Sequence, residues 1–297
     1  MADSKAVRTL EDIPGWFPPL DQQVFEHFLS DAAVVARGDL VELGVYLGKS
    51  AALIAGHKRA EETFTVCDLF GATSDDDANR RENAKSYAAL DRESFERNFL
   101  ALRDSLPVIV QDLSSTIVDH VPPGSVRFLH VDASHLYDHV VTDVESAYKL
   151  LLPEAVVVFD DYRSSHTPGV SAAVWEAVFT RGLQPICLTD QKMYGTFGDR
   201  VPHQQRLLDW FSRTPETWCG RESIAGSPVL RLARQTRPKA PSTPAGMPES
   251  VGPRLKALED RLSALDKRVG RLDAAARRPT VARRVARWLA TSADGRR

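Results

Sequence analysis

The chain has 297 residues, 43% hydrophobic and 26% charged, the make-up of one large globular α/β domain with an appendage. No apolar run approaches a membrane span and the N-terminus leads into no signal-like apolar core, so a cytoplasmic protein is expected. Cys67, Cys187 and Cys219 are odd in number, far apart and without a CxxC pair, which argues against a disulfide or zinc framework. The net charge of −2 is unevenly spread: of 38 basic and 40 acidic residues, 13 and 5 lie in 251–297, leaving 25 and 35 for an acidic body. No nucleic-acid partner is expected.

In chain order, residues 1–35 read as a helical lead-in, with Pro14, Pro18 and Pro19 before the apolar positions Val24, Phe25, Phe28 and Leu29. Strand signals follow at Leu40–Val45, Thr63–Cys67, Val108–Val110, Val126–Val131, Ala155–Phe159, Pro185–Leu188 and Val229–Leu232. Most of the segments between them have helical periodicity, Tyr137 to Leu152 among them. The alternation predicts a doubly wound, Rossmann-like α/β fold with a seven-stranded, mostly parallel sheet. The stretch Gly71 to Asn98, with Asp75-Asp76-Asp77 and Arg80-Arg81, is long for a connector and reads equally as a lid or a surface elaboration.

The main domain is assigned to 1–235 and a Pro-rich linker to 236–253. Leu255, Leu258, Leu262, Leu265, Val269 and Leu272 are then spaced 3, 4, 3, 4, 3, and Arg254, Arg261 and Arg268 at g face Glu259, Asp266 and Asp273 at e. That pattern predicts a parallel coiled coil over 254–278, most simply a homodimer. Residues 279–297 form a basic amphipathic segment with Val281, Val285, Trp288 and Leu289 on one face. It suits peripheral contact with an anionic membrane at the inner surface, a frayed solvated tail being the other reading.

The chemistry concentrates at strand ends. Asp132 follows the fourth strand signal and Asp160-Asp161 the fifth, and a helix between them makes a βαβ unit, so all three belong on the edge where α/β sheets keep their crevices. Three desolvated carboxylates there need a cation or a proton. Upstream, Glu42-Leu43-Gly44-Val45-Tyr46-Leu47-Gly48-Lys49-Ser50 places a G-x-x-x-G loop after the first strand; it is neither a G-x-G-x-x-G fingerprint nor a Walker motif. Asp68 after the second strand is placed to take ribose hydroxyls, Glu42 to reach a ligand ammonium, and Asp112 and Ser114 to meet an adenine.

From about Leu40 to Leu232 the chain resembles class I S-adenosylmethionine-dependent methyltransferases. The residues that carry it are E-x-G-V-Y-x-G-x-S from Glu42 through Gly44, Tyr46 and Gly48 to Ser50, Leu129-His130-Val131-Asp132-Ala133-Ser134-His135-Leu136-Tyr137, Phe159-Asp160-Asp161-Tyr162 and Thr167-Pro168-Gly169-Val170. They are similar to the macrocin O-methyltransferase and cephalosporin-hydroxylase-like group. The resemblance implies S-adenosyl-L-methionine as cofactor and a Mg²⁺ held by Asp132, Asp160 and Asp161 beside an acceptor hydroxyl on a sugar, glycan or polyhydroxylated natural product. Ala133 and Ser134 replace the group's small-acid pair, so a carboxylate base is missing. His135 becomes the first candidate base, with His139 and His166 behind it. Rival readings are a metal-independent methyltransferase using His135 alone, a nicotinamide oxidoreductase, and a non-catalytic scaffold on the same fold. Trp16 and Phe17 are read as core packing, with cofactor cover as the alternative.

Overall fold

The computed structural model describes residues 6–31, 37–72, 90–214, 217–224 and 226–234. The linker, coiled coil and basic tail expected over 236–297, and most of the expected lid, lie outside the described residues.

The strands are β1 (Asp39–Leu43), β2 (Phe64–Cys67), β3 (Val108–Val110), β4 (Val126–Val131), β5 (Leu151–Phe159), β6 (Gln184–Leu188), β7 (Met193–Thr196), β8 (Thr217–Ile224) and β9 (Ser227–Arg234). They form one nine-stranded sheet ordered β3-β2-β1-β4-β5-β7-β6-β9-β8. β1 to β5 pair in parallel, β7 runs antiparallel to β5 and β6, and β9 runs parallel to β6 and antiparallel to β8.

The expected count of seven is therefore corrected to nine, still with a mostly parallel sheet. β7 is short and interrupted by Gly195, so it shows no apolar run. β8 is an edge strand whose central Gly220-Arg221-Glu222 is polar, as an edge exposed to water requires. β1 ends at Leu43, two residues before its expected end, because Gly44 turns to φ +78°. Between β3 and β4 the chain makes a 3-10 turn at Ser114–Asp119.

The helices are α1 (Pro19–Ser30), α2 (Lys49–Ala55), α3 (Arg92–Leu100), α4 (Tyr137–Leu150), α5 (Pro168–Thr180) and α6 (Arg200–Phe211). Strand periodicity divides the core in two. Leu40, Phe64, Val66, Phe128, Val156 and Val158 face one side, against Val24, Phe25 and Phe28 of α1 and Ile54 of α2. Val41, Leu43, Leu129, Val131, Val157 and Phe159 face the other, against Val140 and Val144 of α4 and Val170 and Val174 of α5. At the N-terminal end of the sheet, buried Arg127 grips Glu62 with two hydrogen bonds of 2.7 and 2.9 Å. It also donates to the carbonyls of Leu29 and His57, which ties β4 to the connections around it.

Candidate active site

The parallel register lays one row of residues along the C-terminal sheet edge. Leu43 is level with Cys67 and with Val131, and Val131 with Phe159, so Asp68, Gly44, Asp132 and Asp160 each stand one step beyond the end of adjacent strands. Backbone bonds continue the ladder through that row: Gly44 N–H to Cys67 (2.8 Å), Asp132 N–H to Leu43 (2.7 Å) and Asp160 N–H to Val131 (3.0 Å). The strand order reverses between β1 and β4, where doubly wound sheets open their ligand crevice. A cavity of about 1050 Å³ lies there, lined by Gly44 and Tyr46, by Asp68, Asp112 and Ser114, and by Asp132, His135, His139, Asp160, Asp161 and His166. Lys49 and Ser50 at the start of α2 also line it. At that size it has room for a nucleoside-sized cofactor and part of an acceptor.

Gly44 is required by the chain's own packing. A Cβ there would lie 2.0 Å from the Asp132 carbonyl oxygen, so only glycine lets the β1 loop close against the end of β4. Asp68 fastens the same loop from the other side: Val45 N–H donates to Oδ2 (2.7 Å) and Phe70 N–H to Oδ1 (2.7 Å). Burial raises the Asp68 pKa against the pull of these amides.

Glu42 is placed differently from the sequence expectation. Its side chain is fully buried beneath the loop and its Oε1 pairs with His130 Nδ1 at 2.7 Å across the β1–β4 pair, and it does not line the cavity. His130 leads on to Lys192, whose ammonium lies 3.3 Å from His130 Nε2 and is bonded to Asp160 Oδ2. Lys192 is 1% exposed. It sits at the end of the turn between β6 and β7, locked by hydrogen bonds between Lys192 and Thr189 and by Asp21 of α1, which accepts from Thr189 Oγ1 (2.8 Å) and Tyr194 Oη (2.7 Å).

The carboxylates divide the charge. Burial, then the neighbouring Asp160, push Asp132 well above the usual carboxylate range. Burial would push Asp160 the same way, but Lys192 and His130 beside it hold it low. Burial disfavours the Lys192 ammonium, yet Asp160, Asp132 and Asp21 keep its pKa above the usual lysine value.

Asp132, Asp160 and Asp161 do not converge on one point. β5 has ended at Phe159, and Asp161 takes φ +53°, which swings its carboxylate away from that of Asp160. Asp161 Oδ1 accepts from Ser164 Oγ at 2.5 Å, and Oδ2 lies 3.4 Å from His135 Nε2. Among the described residues the acid and imidazole atoms that do converge, within 4.8 Å, belong to His130, Asp132 and Asp160. With Lys192 already on Asp160, the three aspartates as they stand do not fit a shared Mg²⁺.

His135 and its neighbours are set by local packing. Gly169 of α5 lies so close to the His135 carbonyl and the Tyr137 amide, 2.7 Å from a Cβ to each, that any side chain there would push the His135 loop away. Ser134 Oγ pairs with His139 Nδ1 at 2.9 Å. One helical turn on, Asp143 is buried and neither oxygen makes a conventional hydrogen bond. Burial pushes its pKa up to about 7, against the pull of the Ser114 hydroxyl and His139.

A raised folded-state pKa means that the folded chain holds a proton the unfolded chain has released, so stability falls as pH rises from about 4 through about 7 and then levels. Asp143→Asn is expected to match the parent near pH 4 and to exceed it by up to about 4 kcal/mol at pH 8. Urea melts across that range measure the difference, and parallel curves would refute the assignment.

The sequence reading missed Lys192, which sits in a polar turn before an unpredicted strand. It also placed Trp16 in the core. Trp16 is instead 79% exposed, lines the cavity and lies 5.9 Å from the Tyr46 ring, because Gly15 and Pro18 hold this segment outside α1 at the cavity rim. Phe17 is buried as expected. The Cys67 thiol is pushed up to about 12 by burial and is inert as a nucleophile at neutral pH.

A sheet of this order, with a glycine loop after β1 and acids at the ends of β2, β4 and β5, is the doubly wound arrangement that opens a ligand crevice at its C-terminal edge. Residues 41–162 match a protein family described as a methyltransferase domain. The chain thus carries a segment similar to methyltransferase domains, and that segment takes in the glycine loop, Asp132 and the Asp160-Asp161 pair. Its fold is similar to that of the O-methyltransferase NovP, at 22% identity over 60% of this chain and 79% of that one, with a TM-score of 0.50. Weaker likenesses are to CalS11, a TDP-rhamnose 3'-O-methyltransferase of calicheamicin biosynthesis (16% identity, 61% and 78% covered, TM-score 0.42), and to TomG from Streptomyces achromogenes (16%, 63% and 83%, 0.41). Among curated proteins none matches the chain. Among the described residues no helix is long and apolar enough to cross a membrane.

Proposed function

We propose that the protein transfers a methyl group to a hydroxyl of a sugar, glycan or polyhydroxylated natural product, with His135 as general base. The observation that carries this reading is the pairing of His135 Nε2 with Asp161 Oδ2 at 3.4 Å, on the wall of the cavity that also holds Gly44 and Asp68. An alcohol is a weak nucleophile at neutral pH and needs a base within reach of its proton. S-adenosylmethionine, when bound, supplies an activated methyl on a positively charged sulfur.

In this reading Asp68 and Asp112 hold the nucleoside end, the Gly44–Gly48 loop with Tyr46 and Ser50 shapes the middle, and Asp132 faces the sulfonium side. Asp161 fixes the imidazole. His135 takes the hydroxyl proton as the acceptor oxygen bonds to the methyl carbon and the carbon–sulfur bond breaks. The exposed Trp16 indole at the rim offers a flat apolar surface to a sugar ring or polyketide. Self-association through residues 254–278 and surface contact through 279–297 belong to the same proposal, within a cytoplasmic protein.

Calorimetry with S-adenosylhomocysteine and with NAD tests the cofactor end. One S-adenosylhomocysteine per chain and no NAD are expected, and Asp68→Asn should weaken that binding about tenfold, the worth of one charge-assisted hydrogen bond. Binding of NAD alone would overturn the reading in favour of an oxidoreductase.

A further inference from the structure

Two observations about the acidic edge belong together. The liganding atoms of His130, Asp132 and Asp160 gather within 4.8 Å, as a divalent cation would gather them. The same place is reached by Lys192, whose ammonium is bonded to Asp160 Oδ2 and lies 3.3 Å from His130 Nε2. The ammonium has not strayed in from solvent. Its side chain is 1% exposed, and it lies 5.5 Å from the Phe17 ring centre and 5.8 Å from that of Phe25, two faces that favour a cation. Its backbone is pinned through Thr189 and Tyr194 to Asp21 of α1, a contact spanning 168 residues of chain between Asp21 and Thr189.

We propose that Lys192 is the resident cation of this site: a tethered ammonium takes the position of a divalent ion at Asp132 and Asp160, and the enzyme binds no such metal there. The inference rests on the methyltransferase reading of the cavity and deepens it. A fixed ammonium balances Asp160 and Asp132 at the point where the acceptor hydroxyl must meet the methyl group. It also leaves Asp161 available to hold His135 instead of ligating an ion, which agrees with the way the two neighbouring carboxylates diverge. Lys192 is thus a positioning residue, acting through Asp160 and Asp132.

The test is Mn²⁺ binding followed by electron paramagnetic resonance on the full-length chain, with S-adenosylhomocysteine present. The wild-type protein is expected to take up no stoichiometric Mn²⁺ below about 1 mM, and its methyl transfer should survive chelation by EDTA. Lys192→Ala opens the carboxylates to a free ion and should gain one Mn²⁺ per chain, while Lys192→Arg, which keeps the charge, should gain none. One tight Mn²⁺ on the wild-type chain, lost in Asp160→Asn, would overturn the proposal. So would a folded Lys192→Ala that binds S-adenosylhomocysteine but no Mn²⁺. If Lys192→Ala does not fold, the wild-type titration decides alone. Because metal uptake needs no acceptor, these results stand apart from failure of the O-methyltransferase reading, which S-adenosylhomocysteine calorimetry and turnover report.

Discussion

Gly44→Ala is expected to lower the melting temperature by about 10 °C and to abolish measurable binding of S-adenosylhomocysteine. Two penalties add at this position. The backbone sits at φ +78°, a conformation that costs an alanine about 1 kcal/mol. The new methyl would also lie 2.0 Å from the Asp132 carbonyl oxygen and 2.7 Å from the Ala133 Cα. Both of those neighbours are backbone at the end of a central strand, so no side chain can swing aside. Relief requires the β1 loop to lift away from β4, which breaks the 2.7 Å bond from Asp132 N–H to Leu43 and strains the Asp68 bond to Val45. Together these place the loss near 4 kcal/mol, and each kcal/mol is worth about 2–4 °C in a domain of this size. Thermal melting and calorimetry check the two effects separately. An alanine variant that melts like the parent would mean that the strand ends do not meet as described.

His135→Ala should reduce kcat by about 10² to 10⁴-fold while leaving affinity for S-adenosylhomocysteine within about twofold. The split follows from geometry. His135 pairs with Asp161, whereas Asp68, which would hold the cofactor, is bonded to Val45 of the loop and to Phe70. Asp161→Asn should cost less, because it disturbs the orientation of the imidazole without removing it. His139, occupied with Ser134 Oγ, is expected to tolerate alanine with a change of less than about tenfold. Steady-state rates with excess cofactor give kcat directly. A His135→Ala enzyme retaining half or more of the parent rate would hand the proton transfer to His139 or His166.

Much of this site was legible along the chain, and the reason is local. A parallel strand shows as a short β-branched run, and the residue after it stands on the functional edge whatever the rest of the fold does. That is why Gly44, Asp68, Asp132 and Asp160 were found at their places from spacing alone. The same logic failed where the signal depends on a partner. Asp161 follows Asp160 in sequence, but its carboxylate points elsewhere, since a single residue with φ +53° decides the direction. Glu42 lies inside the glycine motif, yet strand periodicity turns it to the α1 face, where His130 meets it across the sheet.

The sharpest division concerns charge. The sequence alone determined that three acids share the C-terminal edge of a parallel sheet, and that desolvated carboxylates there need a cation or a proton. It did not identify either one. Asp190-Gln191-Lys192 is locally an ordinary polar turn. The antiparallel return of β7 beside β5 carries Lys192 under Asp160, and Asp21, far earlier in the chain, helps to hold that turn in place. The proton was equally hidden, because the raised affinity of Asp132 comes from burial and from Asp160, which is remote in sequence. Strand ends are written in neighbouring residues; the ion that balances them comes from a distant segment, and its place exists only once the sheet has closed around it.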